Sequence, residues 1–172
     1  MSSVMRARRA WVVLGLTLCA RVASASPLTP EETVRRYLQA VKDVKFDAAY
    51  DVISHAMKQG KDRAAWVKEQ HDGMDWAEVK IFSFRVGSGK VEGEKAFVPN
   101  VLSSQDKFVN QLGLTEYELY TLVKEDGAWK VDEQVIVEPP DIPKWFPDAG
   151  KGTGAPSAPA APGDKTGSPT SH

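Results

Sequence analysis

The sequence predicts an α+β fold in which N-terminal helices pack on an antiparallel sheet of about four strands. Apolar residues recur at helical spacing between residues 30 and 71, and they alternate with polar residues from residue 79 onward. The clearest strand pair is Thr115–Glu138, where Asp126-Gly127 separates two β-rich runs and predicts a tight hairpin. Helices that precede the strands, instead of alternating with them, indicate α+β.

The first 25 residues have the three parts of a cleavable export signal. Several arginines precede a short apolar run, Ala10–Ala20, and Ala23-Ser24-Ala25 supplies small residues for a signal peptidase. The apolar run is too short to cross a bilayer. We therefore expect cleavage after Ala25, a mature protein that is periplasmic or secreted in a bacterium, and no membrane span.

Cys19 is the only cysteine and lies inside the apolar run. Leu18 stands where a lipoprotein signal needs a small residue, so lipidation is disfavoured. Without the signal the chain has no disulfide, thiolate nucleophile or cysteine–metal site. Removing the four arginines of residues 1–25 from 22 basic residues leaves 18 against 23 acids, a net charge of −5. Such a chain has no electrostatic reason to bind nucleic acid.

The first mature segment has the signature of a helix start. Thr29 and Glu32 have the spacing of a capping box, and Pro30 suits the first helical position, so a helix is expected from Pro30 to about Asp43. Two further helices follow from apolar stripes with start and stop signals. They run from Phe46 to Met57, ended by Gly60, and from Arg63 to His71, capped by Asp62 and followed by Gly73.

The remaining strands are predicted from alternation. Val79–Val86 is expected to place Phe82, Phe84 and Val86 on one face, and Glu94–Leu102 to return as a strand that is an edge or carries a bulge at Pro99. Residues 103–113 are left open between a short helix and a distorted strand.

The final hairpin should have Trp129 as a buried anchor on the face of Val131 and Val135. A two-residue loop would place Trp129 opposite Lys124, whereas a longer loop or bulge would give it apolar neighbours.

The composition changes after the last strand. Pro139-Pro140 ends it, and Trp145-Phe146 is expected to fold back onto the domain. The predicted domain spans residues 26–146. Residues 147–172 are rich in Pro, Ala, Gly and Ser, and we expect a disordered tail there because little in it can be buried.

Two stretches, TPEETVRRYLQAVKDVKFDAAYDVIS and TLVKEDGAWKVDEQ, resemble the nuclear transport factor 2-like superfamily. This cystatin-like group includes SnoaL-like and ketosteroid-isomerase-like proteins, and the chain looks most like its small, uncharacterised, exported bacterial members. The resemblance spans Pro27 to Val137. It implies a cone in which a strongly curved sheet wraps a long helix and leaves a pocket at the wide end. Since this fold serves enzymes, scaffolds and binding proteins, it implies no particular activity.

Isomerase-like and dehydratase-like members place carboxylates, tyrosines and histidines in the pocket, but no residue here matches a catalytic position. The tyrosines fall on helical stripes, and His55 and His71 have structural explanations. No H-x-x-x-H spacing occurs, so neither a metal nor a cofactor is expected. The six candidate pocket residues, none of them assigned as catalytic, are Tyr37, Tyr50, Trp66, Asp72, Phe82 and Phe84.

Two functions remain. The favoured one is a non-catalytic envelope domain that binds a small apolar ligand or a protein partner, as a monomer or a dimer. The alternative is a small isomerase or dehydratase that uses a tyrosine with an Asp or His as its acid–base pair. An acid pointing into the cone beside a tyrosine would favour the enzyme, and a purely apolar interior would favour binding.

Overall fold

The computed structural model describes residues 27–108 and 114–149. Four helices come first, then five strands, then a short 3-10 turn at Pro139–Asp141 and a last helix. The helices are α1 Pro30–Lys42, α2 Phe46–Tyr50, α3 His55–Lys58, α4 Arg63–Ala77 and α5 Ile142–Trp145. The strands are β1 Lys80–Val86, β2 Lys90–Glu92, β3 Lys95–Gln105, β4 Leu114–Glu125 and β5 Ala128–Ile136. This order confirms the predicted α+β class.

The five strands form one antiparallel sheet in the order β1-β3-β4-β5, with β2 also pairing with β3. Helix α1 lies against β1 and β5, which are at opposite ends of that order, and against β3 between them. The sheet therefore curves around α1. This is the architecture that the family resemblance implies, with one more short strand than predicted. We call the face that packs on α1 the inner face.

Helix α1 begins and ends where the sequence indicates, within a residue. The Thr29 backbone N–H donates to Glu32 at 2.8 Å and the Glu32 N–H donates to the Thr29 hydroxyl at 3.2 Å, which completes the capping box. Val34, Tyr37 and Leu38 are buried on one side of the helix. They form the central layer of the core.

The predicted helix over Phe46–Met57 is wrong, because Ile53 interrupts it. Ile53 makes a parallel bridge with Val131 of β5, where the Ser54 N–H donates to the Val131 carbonyl at 2.8 Å. The edge of β5 needs backbone partners, and this segment supplies them instead of continuing as a helix. Ser54 then caps α3. Helical periodicity in the sequence carries no information about that distant strand.

Helix α4 also differs from its prediction, since it continues through Gly73 to Ala77. A glycine inside a helix costs only about 1 kcal/mol, and this one need not end it. The helix ends at Glu78, which has a φ of 53° in the left-handed region. Its N–H donates to the Asp75 carbonyl at 3.2 Å.

Strand β1 carries a bulge at Phe82. Ile81 pairs with Ser104 and Ser83 pairs with Ser103, which leaves Phe82 without a partner on β3. The predicted common face is therefore confirmed for Phe84 and Val86, which both pack against the core. It is wrong for Phe82, which is 49% exposed.

Pro99 lies in β3, which is an interior strand, so the predicted edge exists only at Pro99 itself, between the last residues that pair with β1 and with β2. The Gly87 N–H donates to the Pro99 carbonyl at 2.8 Å, so this side of Pro99 faces the gap between β1 and β2. The missing N–H of the proline consequently points where no ladder partner is required. Strand β3 extends to Gln105, and residues 109–113 of the segment left open lie outside the described residues.

The final hairpin has the predicted two-residue turn. Asp126 and Gly127 have φ values of 51° and 77°, as a type I′ turn requires. Lys124 is opposite Trp129, its Nζ 5.8 Å from the ring centroid, and Trp129 is half-buried at the edge of the core. Trp129 is thus not the fully buried anchor that was expected.

A second bulge, in β5, moves the residues that follow it to the face of the sheet opposite to the predicted one. Leu122 pairs with Val131 but Thr121 pairs with Glu133, which leaves Asp132 as the extra residue. Val131 is buried, and Val135 turns to the opposite face with 41% of its surface exposed. The predicted common face of these two valines is wrong for this reason.

The chain after β5 folds back onto the outer face of the sheet, as expected. The ring of Trp145 lies 5.9 Å from that of Phe97, and the ring of Phe146 lies 4.9 Å from that of Tyr117. The predicted signal over residues 1–25, and the predicted tail beyond residue 149, lie outside the described residues.

Candidate functional site

The inner face carries a polar cluster, buried except for one member, at its β5 end. Its members are Asn100, Glu118, Tyr120 and Gln134, which we call the Glu118 cluster. Register brings them together: Asn100 of β3 is opposite Glu118 of β4, and Tyr120 of β4 is opposite Gln134 of β5. Asn100 and Tyr120 are fully buried, and Glu118 is 1% exposed.

Three neutral side chains donate to the Glu118 carboxyl. The Asn100 Nδ2 donates to Oε2 at 2.8 Å, the Tyr120 hydroxyl donates to Oε2 at 3.2 Å, and the Gln134 Nε2 donates to Oε1 at 2.6 Å. None of the partners that the described part of the chain gives this carboxyl is basic. A buried carboxylate is ordinarily paired with a cation, so the arrangement is unusual.

Burial sets the electrostatics of the cluster. It raises the pKa of Glu118 above its usual value, although the hydrogen bonds from Asn100, Gln134 and Tyr120 act in the opposite direction. Burial and the nearby Glu118 charge raise the pKa of Tyr37, on α1, to about 12. The same causes raise the pKa of Tyr120 well above its usual value. The tyrosines therefore stay protonated at neutral pH, and Glu118 is the group placed to exchange a proton.

One atom of the cluster has no partner. The Asn100 Oδ1 is buried and accepts no hydrogen bond within the described structure. Leaving a buried acceptor unpaired costs about 1–3 kcal/mol. Its neighbours in the cluster already donate to Glu118. A donor from outside the chain would complete the set.

The cluster lies one side chain away from solvent. Gln134, which covers the Glu118 Oε1, is exposed. Ile136 is opposite Glu118 in the register, on the same inner face, and is 61% exposed. We call this exposed pair, Gln134 and Ile136, the β5 mouth. The Gln134 amide lies there between solvent and the Glu118 carboxyl.

A second acid shares the inner face. Glu116 precedes Glu118 by two positions on β4, so both side chains point to the same side, about 7 Å apart along the strand. Glu116 is half-buried and accepts a hydrogen bond from the Ser104 hydroxyl at 3.3 Å. Its charge contributes to the raised pKa of Glu118.

Of the six predicted pocket residues, Tyr37 alone lies at the Glu118 cluster. Its ring meets that of Tyr120 edge to face, with centroids 6.1 Å apart. Tyr50 and Trp66 belong to a separate aromatic group, and their ring centroids lie 5.7 Å apart. The Tyr50 hydroxyl there donates to the Lys61 carbonyl at 3.0 Å.

The other three predicted residues do not join a common site. Asp72 is exposed and forms an ion pair with Lys68 one turn away. Phe82 is the bulged residue of β1, and Phe84 packs against the core beside it.

The two histidines in the described ranges are equally peripheral. The His55 Nδ1 lies 2.7 Å from the Glu125 carboxylate, and the ring of His71 meets that of Phe46 edge to face at 4.7 Å. Within residues 27–108 and 114–149, no group of three or more His, Cys, Asp or Glu is arranged to hold a metal ion.

Sequence reasoning missed Asn100, Glu118, Tyr120 and Gln134. Alternation did place Glu118 with Tyr120 on one face of β4. The opposite face of β4 carries Tyr117 and Leu119 and is also apolar. It packs against the segment after β5, where Phe146 meets Tyr117. The alternation therefore could not show which face is inside.

A shallow groove of about 390 Å³ lies elsewhere, at the start of α1. Its carboxylates are already engaged: Glu31 accepts from the Gly89 N–H at 2.9 Å, and Glu32 accepts from the Thr29 N–H at 2.8 Å. The lining residues are Thr29, Glu31, Glu32, Arg35, Val86, Gly87 and Ser88.

Comparison with known proteins gives likenesses of fold. No family model and no curated protein matches the chain. Among solved structures, a SEC-C motif-containing protein from Rhodopseudomonas palustris has a TM-score of 0.52 at 16% identity, over 64% of this chain and 80% of that one. This likeness shows a shared fold.

Two weaker matches are proteins of unknown function. One, with a cystatin-like fold, is from Nostoc punctiforme (TM-score 0.44, 12% identity, 63% of this chain and 87% of that one). The other, described as nuclear transport factor 2-like, is from Cytophaga hutchinsonii (TM-score 0.39, 14% identity, 66% of this chain and 94% of that one).

Proposed function

We propose that this chain, which has the α+β architecture of nuclear transport factor 2-like proteins, is an exported envelope protein that binds a small molecule at the Glu118 cluster. One observation carries the proposal: the buried Asn100 Oδ1 has no partner among the residues that the structure describes, and it lies beside a buried carboxyl close to the β5 mouth. Buried polar atoms are nearly always hydrogen-bonded, and an unpaired one needs a reason. A ligand that donates to this oxygen supplies it.

The ligand of this proposal has a polar head and an apolar body. A purely apolar molecule would leave the Asn100 Oδ1 unpaired and would meet the Glu118 carboxyl without a hydrogen bond. The rings of Tyr37 and Tyr120 and the side chain of Leu102 supply apolar walls next to the polar groups. This differs from the apolar ligand expected at first, because the inner face is not wholly apolar.

Export is the other part of the proposal, and the basic, apolar and small-residue regions of residues 1–25 support it. In the ranges that the structure covers, no helix has the length and apolar character needed to cross a membrane. The intact mass of the product made by its native host should correspond to a chain beginning at Ser26. A product that retains Cys19, with or without a lipid, would contradict this.

The binding site is tested by closing its mouth. Ile136→Trp should block access to the cluster through the β5 mouth, because Ile136 is exposed and shares the inner face with Glu118. Val135→Trp is the matched control, since Val135 is adjacent but turned to the outer face. Native mass spectrometry of gently purified protein should detect a bound small molecule in the wild type and the control, and lose it in Ile136→Trp.

Two results would contradict the binding proposal. One is a wild-type protein that carries no small molecule after purification from its native host. The other is retention of the bound molecule by Ile136→Trp at the wild-type level.

A second function, acid–base catalysis on the bound molecule, is favoured by the short distance between Glu118 and Tyr120. The Tyr120 hydroxyl donates to the carboxyl at 3.2 Å, and both point into the interior. This pair is the inward acid beside a tyrosine that an isomerase or dehydratase would use. Tyr120→Phe removes only the hydroxyl. If it abolishes the cellular phenotype while binding and stability persist, the site is catalytic; if the phenotype is unchanged, it is not.

A further inference from the structure

We propose that the ligand of the Glu118 cluster is an organic cation, a protonated amine whose N–H groups reach Asn100 Oδ1 and Glu118 while its carbon chain lies against the tyrosines. This inference rests on the proposed binding function and specifies the chemical class of the ligand. Three features of the Glu118 cluster support it: its hydrogen bonding, its charge and its aromatic neighbours.

The cluster has free hydrogen-bond acceptors, whereas its donors are already in use. Asn100, Tyr120 and Gln134 all donate to Glu118, so their donors are in use. The unpaired atom is an acceptor, the Asn100 Oδ1. A carboxylate has about four acceptor positions, of which three are occupied here. The ligand group that fits must therefore donate at least two hydrogen bonds and need accept none, which an ammonium does.

The charge of the site points to a cation. The groups that face Glu118 are Tyr37 from α1, Asn100 from β3, Glu116 and Tyr120 from β4, and Gln134 from β5. Glu116 and Glu118 are both acids, and the other four groups are neutral. A buried carboxylate without a counter-charge is unfavourable, and a ligand cation would remove that penalty. An anionic ligand would add to it.

The aromatic lining selects an organic cation over a metal ion. Tyr37 and Tyr120 meet edge to face at an interplanar angle of 64°, and the Tyr120 hydroxyl donates to Glu118, so aromatic surface lies next to the carboxyl. Ammonium groups are attracted to such faces within about 6 Å. A divalent metal ion usually takes several carboxylate ligands, whereas the described residues provide no cluster of three.

The test is calorimetric titration of the mature chain with matched probes. Benzylamine, benzyl alcohol and benzoate share an aromatic body and differ in the head group, and magnesium chloride tests a metal ion. Benzylamine should bind at least tenfold more tightly than each of the others. Its affinity should fall as the pH is lowered through the pKa of Glu118, because protonation removes the charge that the ammonium pairs with.

Two substitutions locate the binding. Glu118→Gln keeps the shape of the side chain and removes its charge, and it should weaken benzylamine by about tenfold to a hundredfold. Glu133→Gln removes a charge from an exposed residue next to Gln134 on the opposite face of β5, and it should leave the affinity unchanged. Thermal melting of each variant shows whether it is folded.

Each other outcome overturns the assignment of a cation. Equal binding of benzyl alcohol would show that a neutral donor suffices, and preferred binding of benzoate or magnesium would give the site to another class. Equal affinity in folded Glu118→Gln would place the amine elsewhere. If no probe binds, the amine assignment fails, while the binding function itself is judged separately by the mass of the co-purified molecule and its loss in Ile136→Trp.

Discussion

At the scale of single residues, Glu118 is the most informative side chain. It is nearly inaccessible, has three neutral donors, and has no basic partner among the described residues. Its pKa is raised by burial, so folding makes this group hold its proton more tightly. Because its pKa is raised on folding, Glu118 makes the folded state less stable as the pH rises. A carboxyl whose pKa is lowered on folding has the opposite effect.

The pH dependence of unfolding should reveal this residue. Between the ordinary carboxyl pKa of 4.5 and the raised folded value, the unfolded chain has released the Glu118 proton and the folded chain has not. Wild-type stability should therefore fall with rising pH in that window, relative to Glu118→Gln, by about 1.4 kcal/mol for each unit of the pKa shift. Denaturant unfolding of both proteins from pH 4 to 8 measures the difference.

Glu118→Gln should fold, because the free Asn100 Oδ1 can accept from the new amide after the Asn100 side chain turns over. Glu133→Gln is the control and should follow the wild-type curve, since Glu133 is exposed. Parallel pH profiles for wild type and Glu118→Gln would show that burial does not perturb Glu118.

At the scale of elements, the attachment of α1 to the loop between β1 and β2 closes one side of the cone. The Gly89 N–H donates to the Glu31 carboxylate at 2.9 Å. Partial burial opposes ionisation of Glu31, but this bond and its neighbours lower its pKa overall. A Cβ on Gly89 would lie 2.9 Å from the Val98 side chain and 3.2 Å from the Phe97 carbonyl oxygen. The loop therefore packs against β3 more closely than any side chain allows.

Gly89→Ala should accordingly cost about 1–3 kcal/mol of unfolding free energy, because backbone must move to admit the methyl group. Gly73→Ala is the control: Gly73 lies inside α4 with open space around it, and alanine there should stabilise by about 0.5–1 kcal/mol. Urea unfolding of the two variants measures both signs. Equal effects would mean that the approach of the loop to β3 does not constrain residue 89.

At the scale of the whole molecule, the sheet is covered on both faces. Helix α1 lies on the inner face, and the segment after β5 places Trp145 and Phe146 on the outer face against Phe97 and Tyr117. No large apolar residue follows Phe146 in the sequence.

Truncation should separate these two parts of the C-terminal region. Deleting residues 151–172 should leave the melting temperature unchanged within about 2 °C, while Trp145→Ala should lower it by about 3–8 °C through lost packing on Phe97. Differential scanning calorimetry distinguishes them. A drop of several degrees on deletion of the tail would show that it contributes to the fold.

Local signals predicted much of the fold. The capping box at Thr29, the period of α1, and the Asp126-Gly127 turn act over a few residues, and each was located to within a residue. Errors came from long-range pairing. The bridge from Ile53 to Val131 interrupts a predicted helix, and the bulge at Asp132 reverses the end of β5. Neither leaves a signal in the segment that it alters.

The candidate site shows the same division. Tyr37 was predicted as a pocket residue from α1 and lies at the cluster, whereas Asn100, Glu118 and Gln134 come from three different strands. Their meeting depends on strand register and on which face of β4 is inside. Both faces of β4 are partly apolar, so alternation leaves that choice undecided.

The sequence by itself determined that helices precede the strands, and it determined the first helix and the final turn, because propensity, capping and turn geometry depend on neighbouring residues. The tertiary structure alone decided which face of β4 is buried and where β5 bulges, because those outcomes depend on packing and backbone pairing between distant segments. From the sequence alone, a glutamate at position 118 would be assigned to the surface. In the folded protein, α1 and the curved sheet enclose it. Its chemistry is therefore a property of the fold, and burial without a counter-charge is the physical reason.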